Sequence, residues 1–161
     1  MDFSQSKGVK LEQIMPLMKE QLSLGNTVSF YPKGTSMLPM LRQNKDSVIL
    51  APISGSLRKY DLPLYQRDNG QYVLHRIVGV GETYTCMGDN QLVPEEGVRP
   101  DQMIAVVTAF TRDGKKVSVD NPAYRLYCRV WVWLYPLRQL WVRGKGFLRR
   151  ELKKLLGRMP R

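Results

Sequence analysis

The 161-residue chain contains one histidine, two cysteines and no long apolar run. Cys86 and Cys128 are too few for a disulfide framework, so we expect both thiols to be reduced. A transmembrane helix needs about 20 consecutive apolar residues, and neither such a run nor a secretory signal is recognisable. With 43% hydrophobic residues, the chain has enough apolar side chains for one core. These features predict a cytoplasmic protein.

Acidic residues are scarce near the C-terminus. Residues 125–161 hold 11 Lys and Arg against one acidic residue, whereas residues 1–124 hold 14 against 13. The formal net charge of +11 therefore belongs almost wholly to the tail. We predict a folded domain at 1–124 and an aromatic, basic, helical extension at 125–161.

Hydrophobic spacing predicts a mainly β fold behind one helix. Apolar residues near helical spacing predict an amphipathic helix over 9–24, with Pro16 as a kink or restart and Gly25-Asn26 as its end. Short apolar segments then predict antiparallel strands between about residues 27 and 120. These segments are 27–31, 47–50, 60–65, 72–80, 83–87, 103–110 and 116–119. Pro63 should confine its segment to a sheet edge or a bulge.

The segment 72–80 alternates like a half-buried strand. This pattern places His75 on one face and Arg76 on the other, where a solvated or ion-paired arginine is expected. If residues 81–82 form a two-residue turn to the next strand, residue 75 pairs with residue 88. The hairpin therefore brings the single histidine beside the Gly-Asp corner that follows the second strand.

A serine and this histidine form a candidate catalytic pair. A serine hydroxyl needs a base to become nucleophilic, and His75 is the only imidazole in the sequence. Asp89 would accept a hydrogen bond from Nδ1–H of His75, which leaves Nε2 free to face Ser36. Cys86 is a weaker nucleophile candidate, since buried thiols without an activating motif are usually inert.

Three short motifs carry these residues. They read Gly-Thr-Ser-Met-Leu-Pro at 34–39, Leu-His-Arg-Ile-Val at 74–78 and Met-Gly-Asp-Asn at 87–90. In order and spacing they resemble the motifs of type I signal peptidases, and most closely the archaeal and endoplasmic-reticulum branch, which uses histidine in place of a catalytic lysine. The resemblance covers roughly residues 28–108.

The resemblance implies a serine endopeptidase of the signal-peptidase and LexA-like fold, with Ser36, His75 and Asp89 as catalytic residues and no metal or cofactor. It implies a peptide or protein substrate from which a leader is removed, with small residues before the cut. Because an amphipathic helix occupies the place of the family's transmembrane anchor, a cytoplasmic leader peptide or a dedicated partner protein is the expected substrate.

Two departures from the family pattern concern the site. Many members have a serine where this chain has Gly34, so the oxyanion hole would depend on the backbone N–H groups of Ser36 and Thr35. The histidine-using branch also has a second acidic residue after the Gly-Asp-Asn motif. Glu95 is that residue here, and it competes with the favoured Asp89 for the role of orienting the histidine.

The tail combines leucine and aromatic residues with clustered Lys and Arg. Helical spacing over 127–141, with a break at Pro136, and a second apolar pattern from Phe147 onward suit an interfacial helix on anionic lipid. The protein would then lie at the inner face of the membrane. For 127–141, a helix packed on its own domain is an equal alternative. Nucleic acid is disfavoured, since no nucleic-acid-binding motif is recognisable.

Two further function classes remain. One is a self-cleaving regulator related to the repressors of the SOS response, disfavoured by His75 in place of the expected lysine and by a short N-terminal segment. The other is a non-catalytic adaptor on a membrane surface or nucleic acid, in which Ser36 and His75 merely persist in a β scaffold.

Overall fold

Two antiparallel sheets and the helices around them make up residues 11–140, the part of the chain that this computed structural model describes. The larger sheet has the order β1-β2-β8-β3-β4, with β9 paired to β8, and the smaller has the order β5-β6-β7. The mainly antiparallel β architecture and the N-terminal helix are as predicted. The elements are α1 Leu11–Ser23, β1 Val28–Phe30, β2 Val48–Ala51, β3 Pro63–Gln66, β4 Tyr72–Leu74, β5 Arg76–Val80, β6 Tyr84–Met87, β7 Glu95–Val98, β8 Met103–Arg112, β9 Lys115–Ser118 and α2 Pro122–Trp133.

Helix α1 packs its apolar face on the larger sheet and ends where predicted. Met15, Met18 and Leu22 are buried in the main core cluster. Pro16 lies inside the helix without dividing it. Gly25 has φ +80°, a left-handed conformation that glycine adopts without a Cβ penalty, and its N–H donates to the Leu22 carbonyl at 3.0 Å.

The single strand predicted over 72–80 is in fact two strands in different sheets. β4 pairs with β3 in the larger sheet, β5 pairs with β6 in the smaller, and His75 lies at the junction. The alternation of buried side chains continues across this break, since Val73 and Ile77 both lie in the second core cluster while Leu74 lies in the main one. The predicted hairpin register is confirmed next to the histidine, where Arg76 pairs with Met87. The predicted two-residue turn is wrong, because Val80 pairs with Tyr84 across a three-residue loop, and a bulge between Ile77 and Gly79 restores the predicted register.

Of the two places predicted for the Pro63 segment, a sheet edge or a bulge, the structure shows the bulge. β3 lies inside the sheet between β8 and β4, with Pro63 at its first position and a bulge between Leu64 and Tyr65. β7 was not predicted, since its sequence Glu-Glu-Gly-Val has no apolar alternation. β7 is nevertheless important, because it carries Glu95 into the site.

The first part of the tail packs on the β domain. Asn121 caps α2, its side-chain oxygen accepting hydrogen bonds from the N–H groups of Ala123 and Tyr124. Tyr124 and Cys128 are buried on this helix, so the domain boundary predicted after Tyr124 falls inside α2. The helix breaks at Leu134 and residues 135–140 are again helical. The second apolar pattern, from Phe147 onward, lies outside the described residues.

Within residues 11–140, no helix is both long and apolar enough to cross a bilayer.

Candidate active site

Ser36 and His75 meet at a glycine. A Cβ placed on Gly88 would lie 3.1 Å from His75 Nε2 and 3.1 Å from Ser36 Cβ. These two atoms are therefore no more than twice that distance apart, beside a residue with no side chain. Gly88 is the residue that the predicted hairpin register placed opposite His75.

The corner formed by Gly88, Asp89 and Asn90 also holds the serine loop in place. The backbone N–H of Asn90 donates to the Ser36 carbonyl at 2.7 Å, and its side-chain amide donates to the Thr35 carbonyl at 3.2 Å. Gly34, with φ +95°, provides the left-handed residue at the entry to this loop. The position of Ser36 thus depends on the same corner that faces the histidine.

The imidazole of His75 is oriented by a tyrosine. His75 is 3% exposed, and its Nδ1 lies 3.3 Å from the Tyr65 hydroxyl oxygen. The Tyr65 hydroxyl uses its single O–H to donate a hydrogen bond to Glu95 Oε2 at 2.7 Å. Its oxygen must therefore accept a hydrogen bond from His75 Nδ1–H. This arrangement specifies the tautomer with a free lone pair on Nε2, the nitrogen beside Gly88.

Glu95 is kept ionised by an arginine. Arg67 donates to both carboxylate oxygens, from Nε to Oε1 at 2.7 Å and from Nη2 to Oε2 at 2.6 Å. This bidentate pair lowers the pKa of Glu95 despite its partial burial. Burial, followed by the hydrogen bond to Glu95, raises the pKa of Tyr65, so the phenol stays protonated and remains a donor.

The pKa of His75 is lowered to about 4, chiefly because burial disfavours the imidazolium and secondly because Arg67 is positive. Glu95 and Asp89 act in the opposite direction but do not compensate. The imidazole is therefore neutral near pH 7, the form that can accept a proton from a serine.

Asp89 has a different partner from the one predicted. Its carboxylate accepts from Arg76 Nε at 2.9 Å, from Arg76 Nη2 at 2.8 Å and from the Tyr127 hydroxyl at 3.0 Å. Arg76 is fully buried, because the alternation of β5 turns it away from His75 and into the core, where a cation needs a paired anion. This corrects the prediction that Asp89 orients His75: Asp89 neutralises Arg76, and Glu95 is the carboxylate that reaches the histidine, through Tyr65.

Residues of α2 and of the helical segment after it donate hydrogen bonds to the Asp89 corner and to the loop that follows it. Trp131 Nε1 donates to the Asp89 carbonyl at 2.8 Å, and the guanidinium of Arg138 donates to that carbonyl while lying 4.3 Å from the Trp131 ring centroid. The Tyr135 hydroxyl donates to the Leu92 carbonyl at 2.7 Å. The face of this segment that carries Tyr127 and Trp131 is therefore packed on the protein's own domain, as in the packed-helix alternative.

An open cleft of about 420 Å³ runs past both candidate catalytic residues. One side is β4, the terminal strand of the larger sheet, and the other is the loop that carries Thr35 and Ser36, the residues whose N–H groups were expected to bind an oxyanion. Arg67, Asn90 and Gln91 also line it. Among residues 11–140 there is no cluster of His, Cys, Asp or Glu that could hold a metal ion.

Sequence reasoning missed Tyr65 and Arg67. A signal was present, because the Asp-Asn-Gly sequence at 68–70 is a turn former, and a hairpin through it pairs Tyr65 with Val73, two residues before the histidine. Cys86, the alternative nucleophile, is fully buried, and burial raises its pKa to about 12. Such a thiol is unreactive near neutral pH.

Residues of all three motifs line one cleft, Ser36 and His75 among them. Comparison of the chain with protein-family models, with curated proteins and with solved structures found no match.

Proposed function

We propose that this protein is a serine endopeptidase in which Ser36 is the nucleophile and His75 the general base. The observation that carries the proposal is that Nε2 of a neutral imidazole and the Cβ of Ser36 both lie close to Gly88, each 3.1 Å from the position a Cβ would take there. Tyr65 and Glu95 act as positioning residues, because they hold the proton on Nδ1 and keep Nε2 available.

The reaction follows from these positions. Ser36 Oγ attacks the scissile carbonyl while His75 Nε2 takes its proton, and the resulting imidazolium is stabilised by Glu95 through the Tyr65 hydroxyl. The backbone N–H groups of Ser36 and Thr35 are the candidate donors to the oxyanion. His75 then returns the proton to the leaving amine, and a water molecule repeats the sequence to release the acyl group.

The substrate is proposed to be a leader peptide on a cytoplasmic protein. An open cleft beside the edge of β4, which pairs with no strand among residues 11–140, suits an extended peptide chain, because a sheet edge offers backbone donors and acceptors. The preference for small residues before the cut comes from the signal-peptidase resemblance alone. A peripheral position at the inner face of the membrane would place the enzyme near such substrates.

Labelling with a fluorophosphonate distinguishes this proposal from a non-catalytic adaptor. The wild-type protein should be labelled on Ser36, and labelling should be lost in Ser36→Ala and in His75→Ala. Ser56→Ala, which changes an exposed serine elsewhere, is the matched control and should label normally. Absence of label on the wild type, or equal labelling of Ser36→Ala, would overturn the peptidase assignment. Spontaneous cleavage of the purified chain itself would instead favour the self-cleaving regulator.

A further inference from the structure

Helix α2 and its continuation expose an apolar stripe on the side away from the candidate active site. The stripe recurs every three or four residues, which places its members up to Trp133 on one face of α2, and the same spacing continues in the helical segment after Leu134. Its central residue, Trp133, is 73% exposed. The opposite face carries Tyr127 and Trp131, which bond to Asp89. The stripe consists of Leu126, Val130, Trp133, Leu137 and Leu140.

A row of cations runs beside this stripe. Arg125 and Arg129 are exposed, and each directly precedes a stripe residue. They line a cavity of about 190 Å³ together with Arg58 and Lys59 from the loop before β3. Two acids, Asp61 and Asp120, also line it, and the Asp61 carboxylate accepts from the Arg58 backbone N–H at 2.7 Å.

The cavity carries an excess of positive charge, which suits an anionic ligand. Within residues 11–140, none of its four cations forms an ion pair. Four positive groups against two negative ones leave an excess of positive charge beside the apolar stripe. The chain from residue 125 onward adds to this sign, since it holds 11 basic residues and one acidic residue.

We propose that this face of α2 and its continuation to Leu140 binds an anionic lipid surface, with the stripe in the headgroup and acyl boundary and a lipid phosphate in the Arg58, Lys59, Arg125 and Arg129 cavity. An exposed indole, leucines and adjacent arginines on one helix are typical of an interfacial helix. In such a helix the apolar side chains insert into the bilayer boundary while the basic groups stay among the headgroups. A nucleic acid would satisfy the arginines but would leave the leucines in water. This inference does not depend on the peptidase activity.

Its consequence is a direct link from the lipid surface to the candidate site. The lipid-binding face and the face that bonds to the Asp89 corner belong to the same helix. A docked α2 therefore holds the cleft at a fixed distance from the bilayer.

Sedimentation of the full-length protein with vesicles tests the cationic part. Protein should bind vesicles that contain phosphatidylglycerol and bind phosphatidylcholine vesicles much less, with added salt weakening the binding. The double variant Arg125→Gln/Arg129→Gln should lower the partition coefficient by about tenfold or more, since each basic residue at the surface contributes roughly fivefold. The matched control, Lys115→Gln/Lys116→Gln on β9, removes two exposed charges elsewhere and should change it by less than about twofold. Equal losses in both variants, or no binding by the wild type, would overturn the proposal.

Tryptophan fluorescence tests the apolar part. Anionic vesicles should shift the emission of the wild type to the blue, and lipids with brominated acyl chains should quench it. Both effects should be largely lost in Trp133→Phe and kept in Trp141→Phe. Leu126→Gln/Leu137→Gln should bind more weakly, whereas Leu24→Gln/Val80→Gln, which changes exposed apolar residues outside α2, should bind normally. A fluorescence response that resides in Trp141 alone, or normal binding by Leu126→Gln/Leu137→Gln, would show that α2 does not contact the lipid.

Discussion

The Tyr65 hydroxyl lies between His75 and Glu95, 3.3 Å from the imidazole Nδ1 and 2.7 Å from the carboxylate oxygen. In a serine, histidine and aspartate triad the carboxylate bonds directly to the imidazole. Here Glu95 Oε2 lies 4.0 Å from Nδ1, and the phenol bridges the two. The bridge orients the imidazole as a direct bond would, while Arg67 lowers the pKa of Glu95 and keeps it from taking the tyrosine proton.

Tyr65→Phe should reduce kcat by about tenfold to a hundredfold, less than the roughly 10⁴-fold loss caused by a wrong histidine tautomer in a direct triad. The reason is that Nδ1–H loses its acceptor and the tautomer is no longer specified. Because the chain has a single histidine, the nitrogen spectrum of a histidine-labelled sample reports this tautomer without ambiguity. The wild type should show Nδ1–H and the variant a mixture. Tyr84→Phe, on β6, is the control. An unchanged tautomer in Tyr65→Phe would remove the tyrosine from this role.

Glu95→Gln and Asp89→Asn should distinguish the acid that orients His75 from the acid that stabilises the fold. Glu95→Gln should lower kcat and alter its pH profile with a modest change in stability, because Glu95 is partly exposed. Asp89→Asn leaves the buried Arg76 charge unpaired and should lower the free energy of unfolding by about 3–5 kcal/mol. Urea unfolding and kcat on a soluble peptide measure the two effects. A stable Asp89→Asn variant with a larger kcat loss than Glu95→Gln would restore Asp89 as the orienting acid.

The pH dependence follows from the lowered pKa of His75. A base acts in its neutral form, so activity should persist well below pH 6.5 and decline only as the pH approaches about 4. The contribution of His75 to stability changes with pH in the same direction as the activity. The reason is that His75 takes up a proton near pH 6.5 in the unfolded chain but only near pH 4 in the folded one. This contribution is present above pH 6.5 and is lost as the pH falls from 6.5 to 4.

Titration of the imidazole by nuclear magnetic resonance gives this pKa directly. Urea unfolding across the same window should show a loss of stability in the wild type that is smaller in His75→Gln. An imidazole that titrates at 6.5 or above would contradict the buried, neutral base.

The sequence predicted the geometry of the site only where that geometry follows from strand pairing. Two-residue alternation and a two-residue turn placed residue 88 opposite the histidine, and Gly88 does lie beside it. The turn itself was wrong, since the loop has three residues and a bulge between Ile77 and Gly79 compensates for the extra one. The break at His75 between two sheets could not be predicted, since the alternation continues through it, with Val73 and Ile77 in one core cluster, and only the pairing partners of β4 and β5 reveal it. The role of Asp89 was mistaken for a related reason. Sequence placed an acid at the corner but could not show that Arg76 is buried and already needs it.

Gly88→Ala tests the contact on which the proposed chemistry depends. An added Cβ would lie 2.6 Å from the Ser36 carbonyl oxygen, a backbone atom, so the serine loop or the corner must shift. Even a 1 Å displacement at a reacting centre can cost about a hundredfold in rate, and we expect kcat and fluorophosphonate labelling of Ser36 to fall by tenfold or more. Gly81→Ala, in the turn of the same hairpin, is the matched control, since its Cβ would meet the Thr83 carbonyl at an ordinary 3.7 Å. The control should label at the wild-type rate with a similar Tm. If Gly88→Ala labels as fast as Gly81→Ala, Ser36 and His75 do not depend on this glycine for their positions.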